Sequence, residues 1–465
     1  MKAISVFSGV KVLTILCSLI RNKLVAIWIG PVGVGMTVIY NSALDLIGVT
    51  ARLNIEQSSV REISAATAEV AKARVARVIL SWSKALGILA MLITMALSPL
   101  LSQWGFGDTA HWKWFFMLSA VPLFTTIALG YQSVMQGSGK LDRLAAANTW
   151  TVIGGTVVSV PLIWFLRLES IPWIILTYAV SGWVASYIFR VRCAHVQLGV
   201  AEIWRAGTGF VRLGMFITMG LIMANLTNYL FVLYLKNFAD ADTLGVYQAG
   251  ATILNTYLSI IFTGVWVEMF PRLGANIHSR RRTQTTVAHH IAMLCWLTLP
   301  IMLLFMACAR PLVRIVYANS FLDVVPFITT GICALALRAS SWCMALVILA
   351  RADGKLYIVT EAISNGLCLV LNIVFWNLWG FRGLGIAYIL WYGAYVVSML
   401  YVYKRIYGYR LPGGAMAPVW VGTGAAFTAL AAYLLVGWWL PLLMGIAAIP
   451  VAYRYIFRSK ETVKS

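Results

Sequence analysis

Residues 4–30 read ISVFSGVKVLTILCSLIRNKLVAIWIG; after the turn Gly30-Pro31-Val32-Gly33, residues 34–55 read VGMTVIYNSALDLIGVTARLNI. A helix needs about 20 mostly apolar residues to cross a hydrocarbon core of about 30 Å, and both arms are long enough. Yet together they carry Lys11, Arg21, Lys23, Asp45 and Arg52. At about 100° per residue, Lys11, Thr14, Ser18 and Arg21 share one stripe of the first helix, and Asn41, Asp45, Gly48 and Arg52 share one stripe of the second. Two such stripes on neighbouring helices imply a shared wet cavity. An ionisable group at membrane depth costs at least ~2.5–3.5 kcal/mol on insertion scales, so it faces a bundle interior or water and points to function. Lys11 and Lys23 lie nearer the helix ends, where snorkelling to the interface competes with a functional role. Asp45 is too short and too central to snorkel, so the bland alternative for Arg21, Asp45 and Arg52 is a mutual Asp–Arg pair.

The rest of the chain extends this pattern. Its 465 residues are 61% hydrophobic and 11% charged, with a mean hydropathy of +0.84. A soluble chain carries about 25% charged residues, so this is an integral membrane protein. Helix-length apolar runs, without the alternation of a barrel strand, make it all-α with about fourteen transmembrane helices. The first run is too long and too charged for a signal peptide and reads as the first of those helices. The net charge is +21. Lys and Arg concentrate in the termini and the even-numbered connections, which places both termini in the cytoplasm and makes the basicity topological; nucleic acid is not implied. The seven cysteines form no Cys-x-x-Cys pair and no metal-ligand spacing. Gln136-Gly137-Ser138-Gly139-Lys140-Leu141 lacks the phosphate-loop pattern and a preceding strand. No cofactor is expected.

Residues 56–77, rich in Ala and mixed charge, read as a short cytoplasmic surface helix, and the basic stretch 189–214 reads as a linker. Gln248, Thr252, Asn255, Ser259 and Thr263 share one helical face, as do Glu361, Asn365, Cys368 and Asn372. Arg338 is central in its apolar run, Glu361 is closer to the cytoplasmic end, and Glu268 lies close enough to Arg272 to pair with it. Pro122, Pro161, Pro300 and Pro326 predict kinks. The turn Gln136–Leu141 matches Arg351-Ala352-Asp353-Gly354-Lys355-Leu356, and Tyr40-Asn41-Ser42-Ala43 matches Tyr247-Gln248-Ala249-Gly250. Each pair is six helices apart, which predicts two bundles of the same orientation, the parallel type of transporter repeat. The expected organisation is a six-helix bundle over 1–192, a linker over 193–212, a second six-helix bundle over 213–405, and a C-terminal helix pair with its tail over 406–465.

Three stretches carry a family likeness: residues 4–47, the MQGSGKLDRLAAAN turn with the SVPLIW that follows, and LNIVFWNLWGFRGLGIAYILWYGAYVVSMLYVYKRIYGY. The chain resembles, over nearly its whole length to about Tyr409, the O-antigen and capsular polysaccharide flippases of the multidrug/oligosaccharidyl-lipid/polysaccharide exporter superfamily. The resemblance implies two six-helix bundles around a V-shaped cavity that opens alternately to either side of the bacterial inner membrane. It implies an undecaprenyl-diphosphate-linked oligosaccharide as cargo, H+ or Na+ gradient coupling, and a polysaccharide polymerase and chain-length regulator as partners. Arg21 matches the family's basic position on helix one, and Arg52 sits where relatives often carry a charge. The C-terminal helix pair resembles that of the fourteen-helix lipid II flippase branch, where it cradles the lipid tail.

A diphosphate needs cations to leave the headgroup region, and Arg21, Lys23, Arg52 and Arg338 are the candidates. Asn41 and Asn255 belong to the polar stripes expected to meet the glycan, and Asp45 and Glu361 are the candidates for ion coupling. A multidrug antiporter of the same superfamily is the alternative, but it predicts an acidic cavity, whereas basic residues outnumber acidic ones within the apolar runs. A membrane enzyme is disfavoured because no paired carboxylates, His/Asp cluster or large outer loop appears.

Overall fold

The computed structural model describes residues 19–53, 68–191, 198–259, 279–351, 353–412 and 414–462, with isolated positions between and beside these ranges. Lys11, Thr14, Ser18, Thr263, Glu268 and Arg272 lie outside them. Every regular element among the described residues is helical. Among the described residues, nine stretches are long and apolar enough to cross a membrane, and the two longest, Leu141–Ile188 and Gly354–Ile406, have the length to cross it twice. The protein is thus an all-α multi-pass membrane protein.

By its own contacts the chain divides into two compact units, residues 1–245 with 316–318, and residues 246–315 with 319–465. The linker expected over 193–212 falls within the first of these units. The basic stretch does not end as a loop: a single helix, α8, runs Val200–Phe238. Its first turns dock on α3 (Glu69–Phe106), where Trp82 Nε1 donates to the Ile203 carbonyl at 3.0 Å, Trp82 packs edge-on to Trp204 at 4.6 Å, and Arg74 pairs with Glu202. The surface helix read over 56–77 is also revised: from Glu69 onward it forms the opening turns of α3, because nothing between Glu69 and Pro99 interrupts a helix.

In the first unit, α1 is described over 19–28 and turns at Gly30 (φ +81°), a backbone that glycine alone adopts cheaply. α2 (Pro31–Arg52) follows, with proline in its first turn. The remaining helices are α3, α4 (Trp112–Leu118), α5 (Ala120–Gly137), α6 (Leu141–Leu166), α7 (Ser170–Ile188) and α8. Small residues let them approach: a Cβ on Gly130 of α5 would meet Ser83 Oγ of α3 at 2.5 Å.

In the second unit, α9 (Ala241–Ala251), whose first turn belongs to the first unit, passes into a π-helical turn, Thr252–Tyr257. Then come α10 (Arg280–Ala307), α11 (Ala309–Val316), α12 (Val325–Gly331), α13 (Leu335–Ala350), the long α14 (Gly354–Tyr401), α15 (Ala417–Leu435) and α16 (Trp439–Thr462). α14 is two helices merged across a break at Trp379 and Gly380, the latter at φ +55°. Pro161 and Pro300 lie inside helices as expected, but Pro326 opens α12, where its missing N–H costs nothing. Both matched stretches follow a helix closed by a five-residue hydrogen bond, Lys140 N–H to the Met135 carbonyl at 2.9 Å and Asp353 N–H to the Ile348 carbonyl at 3.2 Å, but the two bonds fall two positions apart in the match, where Lys140 aligns with Lys355.

Gly130→Leu is expected to destabilise the first unit by about 1–3 kcal/mol, the usual cost of overpacking. Gly424→Leu in α15, where a Cβ meets nothing within 4 Å, is the control; equal thermal melts of the two variants in detergent would contradict the packing described.

Candidate substrate-binding site

The second unit brings two of the named residues into direct contact. Arg338, on α13, uses both N–H bonds of Nη1, donating to the Leu254 carbonyl at 3.1 Å and to Asn255 Oδ1 at 3.3 Å. Both acceptors lie in the π turn after α9, and π turns recur where a site interrupts a helix. The guanidinium also sits over the rings of Phe262 at 5.1 Å and Tyr392 at 5.8 Å. Asn255 Nδ2 in turn donates to the Tyr388 hydroxyl at 2.8 Å, which fixes the amide so that its oxygen faces the arginine. The contacts of Arg338 among the described residues are an amide, a carbonyl and two rings; Nη2 and Nε have no partner there, and no carboxylate joins the group. Such a cation is held in place with its charge intact.

Arg21 in the first unit is held in a comparable way. Its guanidinium lies 4.8 Å from the Tyr178 ring, and Nη2 donates to Asn22 Oδ1 at 3.4 Å. Tyr178 is itself fixed against α6, its hydroxyl 2.7 Å from Thr156 Oγ1 and its ring 2.9 Å from where a Cβ on Gly155 would stand. Lys23 is half-buried on α1. On α2, Asn41 is half-buried and Asp45 exposed, while the Arg52 guanidinium folds back over Gly48, with Nη1 3.4 Å from the place of a Gly48 Cβ.

Glu361 stands apart from Arg338. Its carboxylate accepts from the Tyr395 hydroxyl at 3.0 Å and from Asn365 Nδ2 at 3.2 Å, both neutral donors. A small cavity of about 40 Å³ opens beside it, lined by Thr360, Ser364, Trp391, Tyr395 and Ser398 among others. The tyrosines that build these sites were missed in the sequence. Tyr388, Tyr392 and Tyr395 recur at the helical spacing of one face, and that signal was present to be read. The contribution of Tyr178 and of the π turn has no comparable pattern.

The profile of the family described as "Polysaccharide biosynthesis protein" matches residues 61–326, more than half of the chain. The chain belongs to that family. No curated protein sequence matches it. Among solved structures, it is similar to a lipid II flippase MurJ in an inward closed conformation, at 11% identity and a TM-score of 0.71 over 97% of this chain and 98% of that one. It is equally similar in fold to an inward-facing multidrug-resistance MATE transporter of the MOP superfamily, at 13% identity and a TM-score of 0.71 over 84% and 95%. A MOP superfamily transporter from Pyrococcus furiosus, described as having a binding pocket of reversed polarity, matches at 14% identity and a TM-score of 0.58 over 93% and 96%. This member of the polysaccharide biosynthesis family therefore shares the fold of these membrane transporters.

Asn255→Asp is expected to impair transport more than Asn255→Ala, because a carboxylate at 3.3 Å would neutralise Arg338 whereas alanine only loosens it. Transport assays at matched membrane levels check the order of the two effects; the reverse order would remove Arg338 as an anion site.

Proposed function

We propose that this chain translocates a polyprenyl-diphosphate-linked oligosaccharide across the bacterial cytoplasmic membrane by alternating access. The observation that carries this reading is Arg338: a cation at membrane depth, positioned by an amide, a carbonyl and two rings, with Nη2 and Nε unpartnered among the described residues. A diphosphate supplies the acceptors that such a group lacks. Arg21 adds a second cation of the same kind, with Lys23 and Arg52 further along the first unit's helices. The family described for polysaccharide biosynthesis and the fold shared with a lipid II flippase support the lipid-linked class of cargo. A multidrug antiporter reading shares the fold but asks for acidic anchors where these arginines sit.

Under this reading Asn41 and Asn255 contact the glycan, both termini face the cytoplasm, and a polymerase and a chain-length regulator act on the product. Asp45 and Glu361 couple release to a gradient of H+ or Na+. Glu361 fits that role because its partners are neutral hydroxyl and amide groups, so binding a proton or ion changes the local charge without first breaking an ion pair. If so, Glu361→Gln and Asp45→Asn retain binding of the lipid-linked cargo but lose dependence of flipping on the ion gradient. Proteoliposomes with and without an imposed gradient make the comparison, and unchanged gradient dependence in both variants would end the coupling proposal.

The central test is complementation. Deleting the gene is expected to abolish the surface glycan and trap lipid-linked repeat units on the cytoplasmic face. Arg21→Ala and Arg338→Ala, at wild-type membrane levels, are expected to fail to rescue. Unchanged surface glycan together with increased sensitivity to cationic drugs would replace this reading with the antiporter.

A further inference from the structure

The end of α14 and the start of α15 enclose a second site, remote in sequence from the arginines discussed above. The chain leaves α14 through a π turn, Val402–Ile406, and the connection to α15 is pinned by aromatic and cationic contacts. Arg351 Nη1 donates to the Tyr409 hydroxyl at 2.8 Å, and the Arg351 guanidinium lies 4.6 Å from the Tyr407 ring. Arg280 sits over the other ring, that of Tyr409, at 5.9 Å, and the Tyr407 hydroxyl donates to Asp353 Oδ2 at 3.4 Å.

So fixed, the connection walls a pocket of about 550 Å³. Lys404 and Arg410 line it; both are exposed, and neither has an ion-pair partner among the described residues. No acidic side chain lines the pocket, and none occupies the first turn of α15, whose N-terminal end closes it at Met416 and Ala417. The positive end of that helix's dipole adds to the two cations. Tyr403, only 2% exposed, forms part of the pocket floor. One turn into α15 stands Trp420, 62% exposed, at the edge of the same pocket.

We propose that this pocket binds the phosphate headgroup of an anionic phospholipid, with Lys404 and Arg410 holding the phosphate and an acyl chain descending past Trp420. The shape argues for a lipid over a free anion. The volume far exceeds one phosphate group, and most of the remaining lining is apolar, including Leu400, Leu411 and Trp420. The site also belongs to the basic end of the unit, with Arg280, Arg281, Arg282, Arg351 and Lys355. Basic pockets between helices at a cytoplasmic membrane face are where anionic headgroups bind, and an interfacial tryptophan marks the headgroup level. This site does not depend on the cargo assigned above.

The test uses the purified full chain, without cargo, titrated in detergent with phosphatidylglycerol, phosphatidylcholine or inorganic phosphate and read by native mass spectrometry and thermal melting. Phosphatidylglycerol is expected to stay bound and raise the melting temperature, with the other two ineffective. Lys404→Gln with Arg410→Gln is expected to weaken that binding roughly 30-fold, from the usual contribution of two cations near an anionic surface. Ala415→Trp, which fills the pocket but keeps both cations, is expected to lose the lipid as well. Arg281→Gln with Arg282→Gln, at the same end but outside the pocket, is expected to bind within about twofold of wild type, less than the contribution of one cation. Undiminished binding in the two pocket variants, an equal loss in the control, or inorganic phosphate binding as well as the lipid would each overturn the proposal.

Discussion

An arginine at membrane depth must be satisfied without being neutralised, and that constraint shapes the second unit around Arg338. An acidic partner would meet the desolvation cost most directly, but it would also cancel the charge. The protein uses a backbone carbonyl, a side-chain amide and two ring faces instead. Each of these contacts requires another. The carbonyl and the amide come from a π turn, the amide is oriented by Tyr388, and Tyr388 packs edge-on to Phe327 at 5.5 Å and to Trp391 at 5.7 Å. Trp391 then donates to Ser364 at 2.9 Å. One layer of aromatic rings and hydrogen bonds thus leads from Arg338 to Ser364, three residues along α14 from Glu361.

That layer gives the proposed ion coupling a physical form. Tyr395, which donates to Glu361, and Tyr392, which lies under Arg338, are on the same part of α14, beyond the break at Trp379 and Gly380. Protonating Glu361 would remove the charge that Tyr395 bonds to, and the helix that follows the Trp379–Gly380 turn can shift as a body. Such a shift would carry the Tyr392 ring relative to the guanidinium. The turn at Trp379 and Gly380 separates the two helices of α14, the first carrying Glu361 and the second its tyrosine partner.

Much of this was legible in the sequence, for identifiable reasons. Apolar run length and the absence of strand alternation determine an all-helical membrane protein, and the likeness between residues 136–141 and 351–356 falls on two connections that each end one helix and open the next. Arg338 and Asn255 were singled out as a charge and a polar face, and the fold joins them. Helix ends were less legible. Hydropathy stops where charge begins, but a helix does not, so α3 and α8 extend into charged stretches that looked like surface or linker. Proline is ambiguous in the same way: inside a run it reads as a kink, yet Pro326 starts a helix. The aromatic partners went unread because membrane helices are rich in Tyr and Trp for interfacial reasons alone, and only contact distances separate a belt from a site.

Fold likeness does not choose the cargo, since a lipid II flippase and a multidrug transporter match this chain equally well, at a TM-score of 0.71 each. The choice rests on the site, and there the manner of binding matters as much as the sign of the charge. A carrier must release what it binds. A guanidinium anchored by a carboxylate would have to exchange one strong ionic partner for another, which costs several kcal/mol in a dry interior. One anchored over rings keeps its contacts whether or not an anion is present, because a ring face contributes only about 0.5–2 kcal/mol and does not compete for the outward N–H groups. Arg338 and Arg21 are both of this second kind, and under the function proposed above such a cation would bind a diphosphate on one side of the membrane and release it on the other without being rebuilt.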